Sequence, residues 1–330
     1  CSYIKQGMDL ALLEHPDSGI NIIFEDDHSI DRKASLTAAQ KLVNFDNVDL
    51  FTTWTASSIP LLAPVADRSK TPLVAGAYDR NVKQGGPYVF GSLVNYELLP
   101  RQIAQFLFNA QKAKRFALIL AADDWSQSFA GPFEEELTSL GGTLVMKETL
   151  SPQETDMRSI VLKLRDQNID AVLSPLYGTS LYSFLKQSSE LHFKGMIHVG
   201  DGMFEEDLKI AGESAEGIYA TQIWLRSEEL TSLLRKHFSD SLNPLQLGLL
   251  AGGYDWILHI IHIRQTLLAE GKKLSKENLR EALAHVSTHG FLGEQMYGAP
   301  PSTSGEINVV VRNGTYVPIP MNKKTHRPLP

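Results

Sequence analysis

The stretch VDLFTTWTASSIPLLAPVADRSKTPLVAGAYDRN, residues 48–81, spells out one unit of an open α/β fold. Residues 48–54 are apolar and rich in β-formers, as a strand requires. IPLLAPVADRS follows with helical spacing and Pro60 in the first turn, where a missing N–H costs nothing. TPLVAGA then reads as the next strand. A strand, a helix and a second strand, with no tight hairpin between them, make a βαβ crossover with parallel strands. At the first junction stand Thr55, Ala56, Ser57 and Ser58. Hydroxyls beside the unpaired N–H groups of a starting helix cap that helix, and they also form a candidate anion-binding edge.

The alternation extends both ways. Upstream, SYIKQGMDLALLEH has helical spacing and INIIFEDD is a short β-branched run that reads as a strand. SLTAAQKLVNF reads as a helix with Ser35 as its N-cap and Ala38, Leu42 and Val43 inward. After YVFGSLVNYELLP a second set begins: helix RQIAQFLFNAQKA, strand RFALILAAD, helix GPFEEELTSLGG, strand TLVMKETL, helix DMRSIVLKLRDQN, strand DAVLSPLY, helix SLYSFLKQSSEL and strand GMIHVG. From about residue 225 the sequence is mostly helical. It finishes with EINVVVRNGTYVPI, where Asn-Gly signals a hairpin turn with positive φ. The fold class is therefore α/β, in two successive mainly parallel sheets. Without a flexible linker, the chain is expected to cross between its two lobes more than once. It opens inside a helix, so a strand is expected ahead of residue 1.

The 330 residues are 43% apolar and 21% charged, with a net charge of -7, which argues against nucleic acid or an anionic membrane as the main partner. No run of about 18 apolar residues and no signal-peptide core is present. Cys1 is the one cysteine and has no internal partner. It is either a lipid-attachment residue or the cut edge of a longer chain; the second is favoured, because a lipid-bearing cysteine would precede the first strand. No GxGxxG, GxxxxGK or GxSxG motif appears, so nucleotide and α/β-hydrolase chemistry lack their signatures, and no cofactor or catalytic residue is expected. His259 and His262 have a metal-compatible spacing, but with no third ligand nearby they read as packed or surface histidines. The acid runs 134–136 and 205–207 read as solvated first-turn acids.

QGMDLAL (6–12), IIFEDDHSIDRKASLTAAQKLV (22–43), VDLFTTWTASSIPLLAPVADRSKTPLV (48–74) and above all LKIAGESAEGIYAT (208–221) resemble the leucine/isoleucine/valine-binding protein family of bacterial solute-binding proteins. The similarity runs from near residue 3 to about 320. It implies the type I periplasmic-binding fold: two Rossmann-like lobes, residues 1–94 with 226–302 and 95–225 with 303–330, joined by three crossover strands. It also implies a monomer in the periplasm or another extracytoplasmic space, whose lobes close like a hinge on a small solute, an amino acid or related amine, and deliver it to an ABC transporter permease. The apolar first strand and the PLTG-like loop of the family are absent from this sequence, together with the tyrosine that some members carry after that loop.

In open parallel sheets ligands settle beyond the carboxyl ends of strands, which points to the same junctions. The resemblance makes Trp54, Thr55, Ala56 and Ser57 one wall of the site, faced by Ala77, Tyr78 and Asp79. Asp79 stands near a position where amino-acid binders tend to have threonine, and an aspartate there repels a carboxylate; it reads equally as an Asx-turn residue. On the second lobe the resemblance places Trp125 and Tyr177 as stacking aromatics and Asp201 as the acid that pairs with an α-ammonium. Gly202 would allow close backbone approach. Asp123 and Asp124 read as helix caps or as cleft acids. Phe204 adds a further aromatic, and Arg80 is the nearby base. No metal site is implied. Aromatics with acids suit an amine or a donor-rich ligand and not a polyanion. A ligand-sensing or regulatory module of the same fold is the alternative to transport.

Overall fold

Leu73–Tyr78 is an unbroken apolar run whose first five residues are all buried, the pattern of a strand covered on both faces. The computed structural model describes residues 2–27, 31–54, 56–223, 228–238, 242, 244–297, 306–319, 321–322 and 327–328. It divides into two compact units, Cys1–Asn95 with Trp224–Gly305 and Tyr96–Ile223 with Glu306–Pro330, so the chain passes between units three times.

Unit 1 contains α1 (Ser2–Glu14), α2 (Arg32–Asn44), β1 (Phe51–Thr53), α3 (Ile59–Ser69), β2 (Leu73–Tyr78), α4 (Arg80–Gln84) and β3 (Val89–Asn95). Unit 2 follows with α5 (Leu99–Gln105), β4 (Arg115–Ala121), α6 (Asp124–Ser128), α7 (Ala130–Leu140), β5 (Thr143–Leu150), α8 (Arg158–Asp166), β6 (Ala171–Leu173), α9 (Gly178–Glu190), β7 (Met196–His198), α10 (Glu205–Ala211) and β8 (Tyr219–Ile223). The chain returns to unit 1 for α11 (Glu228–His237), α12 (Pro244–Ala269), α13 (Lys276–His285), β9 (Thr288–Gly290) and β10 (Gly293–Gln295). It ends in unit 2 with β11 (Glu306–Arg312), β12 (Thr315–Pro318), β13 (Met321–Asn322) and β14 (Arg327–Pro328).

In unit 1, β1, β2 and β3 lie in that order and run parallel, with Thr53 opposite Ala75 and Ala77 opposite Val94. In unit 2 the order is β12-β11-β8-β7-β6-β4-β5; the five strands from β8 to β5 are parallel, and β11 and β12 add antiparallel pairs. Ala117, Ile119 and Ala121 of β4 meet Val172 of β6, Phe184 of α9 and Val309 of β11 in the unit 2 core. The Asn-Gly turn forms as expected, with Asn313 at φ 52 and Gly314 at φ 70 between β11 and β12.

Four local expectations are corrected. INIIFEDD is not a strand: residues 20–27 carry no ladder hydrogen bonds, and Ile23 and Phe24 are exposed. β-branched residues favour an extended backbone, but a strand exists only where a neighbour completes its ladder. The N-cap of α2 is Asp31, whose Oδ1 accepts the Ala34 N–H at 2.8 Å. Ser35 lies inside that helix, and the buried stripe is Ser35, Ala39 and Val43, at every fourth residue. The helix expected over residues 101–113 is α5, followed by a π-helical turn, Phe106–Ala110. Glu134–Glu136 sit past the first turn of α7 and form ion pairs with Lys147 and Arg101.

The β9–β10 hairpin of unit 1 had no clear sequence signal. It is held by Asp255 on α12, whose carboxylate accepts the N–H groups of Phe291 (2.8 Å) and Leu292 (2.7 Å). Four residues on, His259 is buried, bonded through Nδ1 to Thr288 Oγ1 at 2.8 Å and tilted against Tyr297, while His262 is exposed. The two histidines thus meet different surroundings. No helix among the described residues is long and apolar enough to cross a membrane.

Candidate functional site

β7, β6 and β4 are adjacent and parallel, so the loops leaving their carboxyl ends gather at one edge of the unit 2 sheet. After β4, Asp123 caps α6 by accepting the Ser126 N–H at 2.9 Å, and this turn presents Trp125. Ser126 is fully buried and ties two loops together: its Oγ accepts the Ala121 N–H at 2.8 Å and donates to the Pro175 carbonyl at 2.7 Å. The second loop leads to Tyr177, the N-cap residue of α9. After β7 the chain bends at Gly200, at φ 71, and brings Asp201 and Gly202 to the same edge.

His198 supports that bend. It accepts the Gly200 N–H through Nδ1 at 3.1 Å, so Nε2 carries the proton towards Asn308 Oδ1 at 3.0 Å. Burial pushes its pKa down to about 4 against a smaller opposing effect of Asn308, and the ring is neutral.

A directed chain of hydrogen bonds ends on Asp201. The Trp125 indole N–H donates to the Tyr96 hydroxyl at 3.1 Å, and that hydroxyl donates to Asp201 Oδ2 at 2.7 Å. The other oxygen, Oδ1, is buried and has no hydrogen-bond partner among the described residues. Burial raises the Asp201 carboxyl to about 6, while Tyr96, the residue's own N–H and Trp125 pull it back. Trp125 meets Tyr177 edge-on at 5.8 Å and Phe129 edge-on at 5.5 Å, and Tyr96 tilts against Phe129 at 5.5 Å. Tyr177 stays 38% exposed; burial and the nearby Asp123 raise its hydroxyl above the usual tyrosine range. A Cβ on Gly202 would fall 2.4 Å from Trp125 Cη2, so the close approach at this glycine is made by the indole. A buried carboxyl with a vacant acceptor can receive one strong N–H or O–H donor and attract a cation.

The remaining candidates lie in unit 1, at the carboxyl ends of neighbouring β1 and β2. Trp54 follows β1 with its ring and carbonyl against Gly76, where a Cβ would meet them at 2.9 and 2.6 Å. Ala56–Ser58 form a single 3-10 turn that runs straight into α3; Ser57 is half-buried, and Ser58 makes no side-chain cap to that helix. Thr55 lies outside the described residues. Ala77 is buried, Tyr78 ends β2, and Asp79 caps α4: its Oδ1 accepts from the N–H groups of Asn81 (2.8 Å) and Val82 (3.0 Å). Among the expected residues, Trp125, Tyr177, Asp201 and Gly202 form one cluster. Phe204 starts α10, its N–H donating to Asp207 Oδ2 at 2.6 Å. Tyr96 and Phe129 were not foreseen; the signal for Tyr96 is an aromatic residue directly after β3, at the first passage between units. Among the described residues no group of three or more potential ligands could hold a metal ion.

A periplasmic binding protein family model matches residues 7–309. Leu/Ile/Val-binding protein homolog 8 of Brucella abortus (strain 2308) is 24% identical over 195 residues, 56% of this chain and 48% of that protein. The chain thus spans about half the length of the curated relatives it matches. Of the solved structures, a leucine binding protein LivK from Thermotoga maritima MSB8 superposes with a TM-score of 0.77 at 21% identity, over 96% of this chain and 92% of that one. A solute binding protein of an ABC transporter from Rhodopseudomonas palustris BisB5, in complex with 3,4-dihydroxy benzoic acid, gives 0.74 at 19%, over 96% and 90%. These likenesses are of fold. The chain has the type I periplasmic-binding fold, and with a family model spanning most of its length it belongs to the periplasmic binding protein family.

Proposed function

We propose that this protein is an extracytoplasmic solute-binding protein that takes up a small amine-bearing compound, such as an amino acid, and passes it to an ABC transporter permease without catalysis. The observation that carries this reading is Asp201 Oδ1, a buried acceptor with no hydrogen-bond partner among the described residues, on a carboxyl linked through Tyr96 to the Trp125 indole. An ammonium would fill the acceptor with a charge-assisted hydrogen bond. The names of the relatives support amino acids, while the Rhodopseudomonas structure holds an aromatic acid, which would bring a carboxylate towards Asp201. Ionised, Asp201 repels that group; this favours the amine. Trp125, Tyr177, Asp201 and Gly202 are the proposed contacts of unit 2. Trp54, Thr55, Ala56, Ser57, Ala77, Tyr78 and Asp79 are those of unit 1, where Ser57 and the amides opening α3 suit a carboxylate.

Thermal-shift and calorimetric screening of amino acids, polyamines, quaternary amines and aromatic acids tests the class, since a ligand that binds only the folded state raises the melting temperature. Asp201→Ala is expected to weaken an amine-bearing ligand by about 2 to 4 kcal/mol. Unchanged affinity removes Asp201 from the site, and response to aromatic acids alone overturns the amine reading.

A further inference from the structure

Tyr96 is the one hydroxyl that serves both polar groups of the cluster. It receives the Trp125 indole N–H and gives its own proton to Asp201 Oδ2. The tyrosine ring leans on Phe129, which is fully buried, so the hydroxyl is held on both sides. A carboxylate left alone can rotate and share its oxygens among several donors. With Oδ2 taken, the direction of Oδ1 is set. A buried acceptor without a donor is costly, and a ligand donor placed there recovers that cost.

We propose that Tyr96 is a positioning residue of the solute site: it pins one oxygen of Asp201 and so presents the other as the acceptor for a single N–H or O–H donor of the solute. The proposal rests on the reading of Asp201 as a ligand acceptor. The groups acting on the carboxyl are Tyr96 from the end of β3, Trp125 from α6 and the aspartate's own N–H, all donors that favour the ionised form, opposed by burial. Around them, Tyr177 packs on the indole and Asp123 acts on the Tyr177 hydroxyl. His198 faces Asn308 and Gly200, and Asp207 is engaged by the Phe204 N–H and Tyr182. Glu205 and Glu206 follow in the first turn of α10. Removing the Tyr96 hydroxyl therefore takes away a donor that favours the ionised carboxyl, and Asp201 must hold its proton to higher pH.

The test is a carboxyl-carbon NMR titration of ligand-free protein carrying 13C-labelled aspartate, with Asp201→Asn assigning the resonance. Asp201 is expected to titrate near 6. Tyr96→Phe should move that midpoint upward, by about one unit, with the far-UV circular dichroism unchanged. An unmoved or lowered midpoint overturns the proposal. In the native protein, the Tyr96 Cζ and Trp125 Nε1 resonances should share the Asp201 midpoint; independent midpoints overturn it even if Tyr96→Phe does not fold. L-leucine and 3,4-dihydroxybenzoate serve as binding probes. For an amine, a one-unit rise weakens binding roughly tenfold at about pH 5.5 and not at all at about pH 8. Coupled titrations with L-leucine binding insensitive to Asp201→Ala would instead refute the amine reading, so the two failures are told apart.

Discussion

Gly202 shows how little room the candidate site leaves. Its missing Cβ is where Trp125 Cη2 and Cζ2 sit, at 2.4 and 2.9 Å from an ideal methyl position. Gly202→Ala should push the indole off its place, lower stability by about 1 to 3 kcal/mol and change the tryptophan near-UV dichroism and ligand affinity together. Denaturant unfolding and calorimetry read the two effects. Trp125, Tyr177 and Asp201 fall in strand-end loops that the hydrophobic pattern locates, and the family resemblance singles them out there. Tyr96 could not be found this way, because its partner Asp201 is 105 residues away and only the folded chain brings the two together. Asp79 reads equally as a ligand contact and as an Asx-turn residue, and its Oδ1 accepts the Asn81 and Val82 N–H groups at the start of α4.

Among the elements, α1 and α12 of unit 1 pack backbone to backbone. A Cβ on Gly7 would lie 2.0 Å from the Leu250 carbonyl oxygen, and one on Gly253 would lie 2.1 Å from that of Ile4. Neither neighbour is a side chain that can swing aside. Gly253→Ala should therefore part the helices and cost about 1 to 3 kcal/mol, seen as a lower denaturation midpoint, while Asp201 in unit 2 keeps its titration. The pairing of helices at these glycines was not visible in spacing, which shows that a helix is apolar but not what it faces. The Asn313-Gly314 turn was visible because its chemistry is local: both residues tolerate positive φ. Residues 20–27 have a strand's composition without a strand's pairing, and α2 is capped by Asp31, four residues ahead of the serine expected to cap it.

At the scale of the molecule, each unit holds a buried neutral histidine and a carboxyl that burial raises to about 6. In unit 1 they are His259 at about 4 and Asp255 at about 6; in unit 2, His198 at about 4 and Asp201 at about 6. The histidines contribute stability that is complete above the unfolded value of 6.5 and is lost as pH falls towards 4. The carboxyls, raised from 3.8, contribute stability that is complete below 3.8 and is lost as pH rises through 6. Between about pH 4 and 6 the two slopes oppose each other at about 1.4 kcal/mol per pH unit per group. Asp255→Asn removes one falling slope from unit 1. The variant also disturbs the Phe291 and Leu292 bonds and is less stable at every pH, but its deficit should shrink by about 1.4 kcal/mol per unit from pH 4 to 6. Thermal melts across that range check it; a constant gap would mean that Asp255 ionises normally.

By itself the sequence determined the α/β class, the parallel runs and the strand-end loops that carry Trp125, Tyr177 and Asp201, because hydrophobic period and turn chemistry act between residues close along the chain. Only the tertiary structure decided which strands are neighbours, and also the chain from Trp125 through Tyr96 to Asp201, with an Oδ1 at its end that has no partner among the described residues. Those depend on burial and on hydrogen bonds between residues far apart in sequence, for which the local pattern carries no energy term.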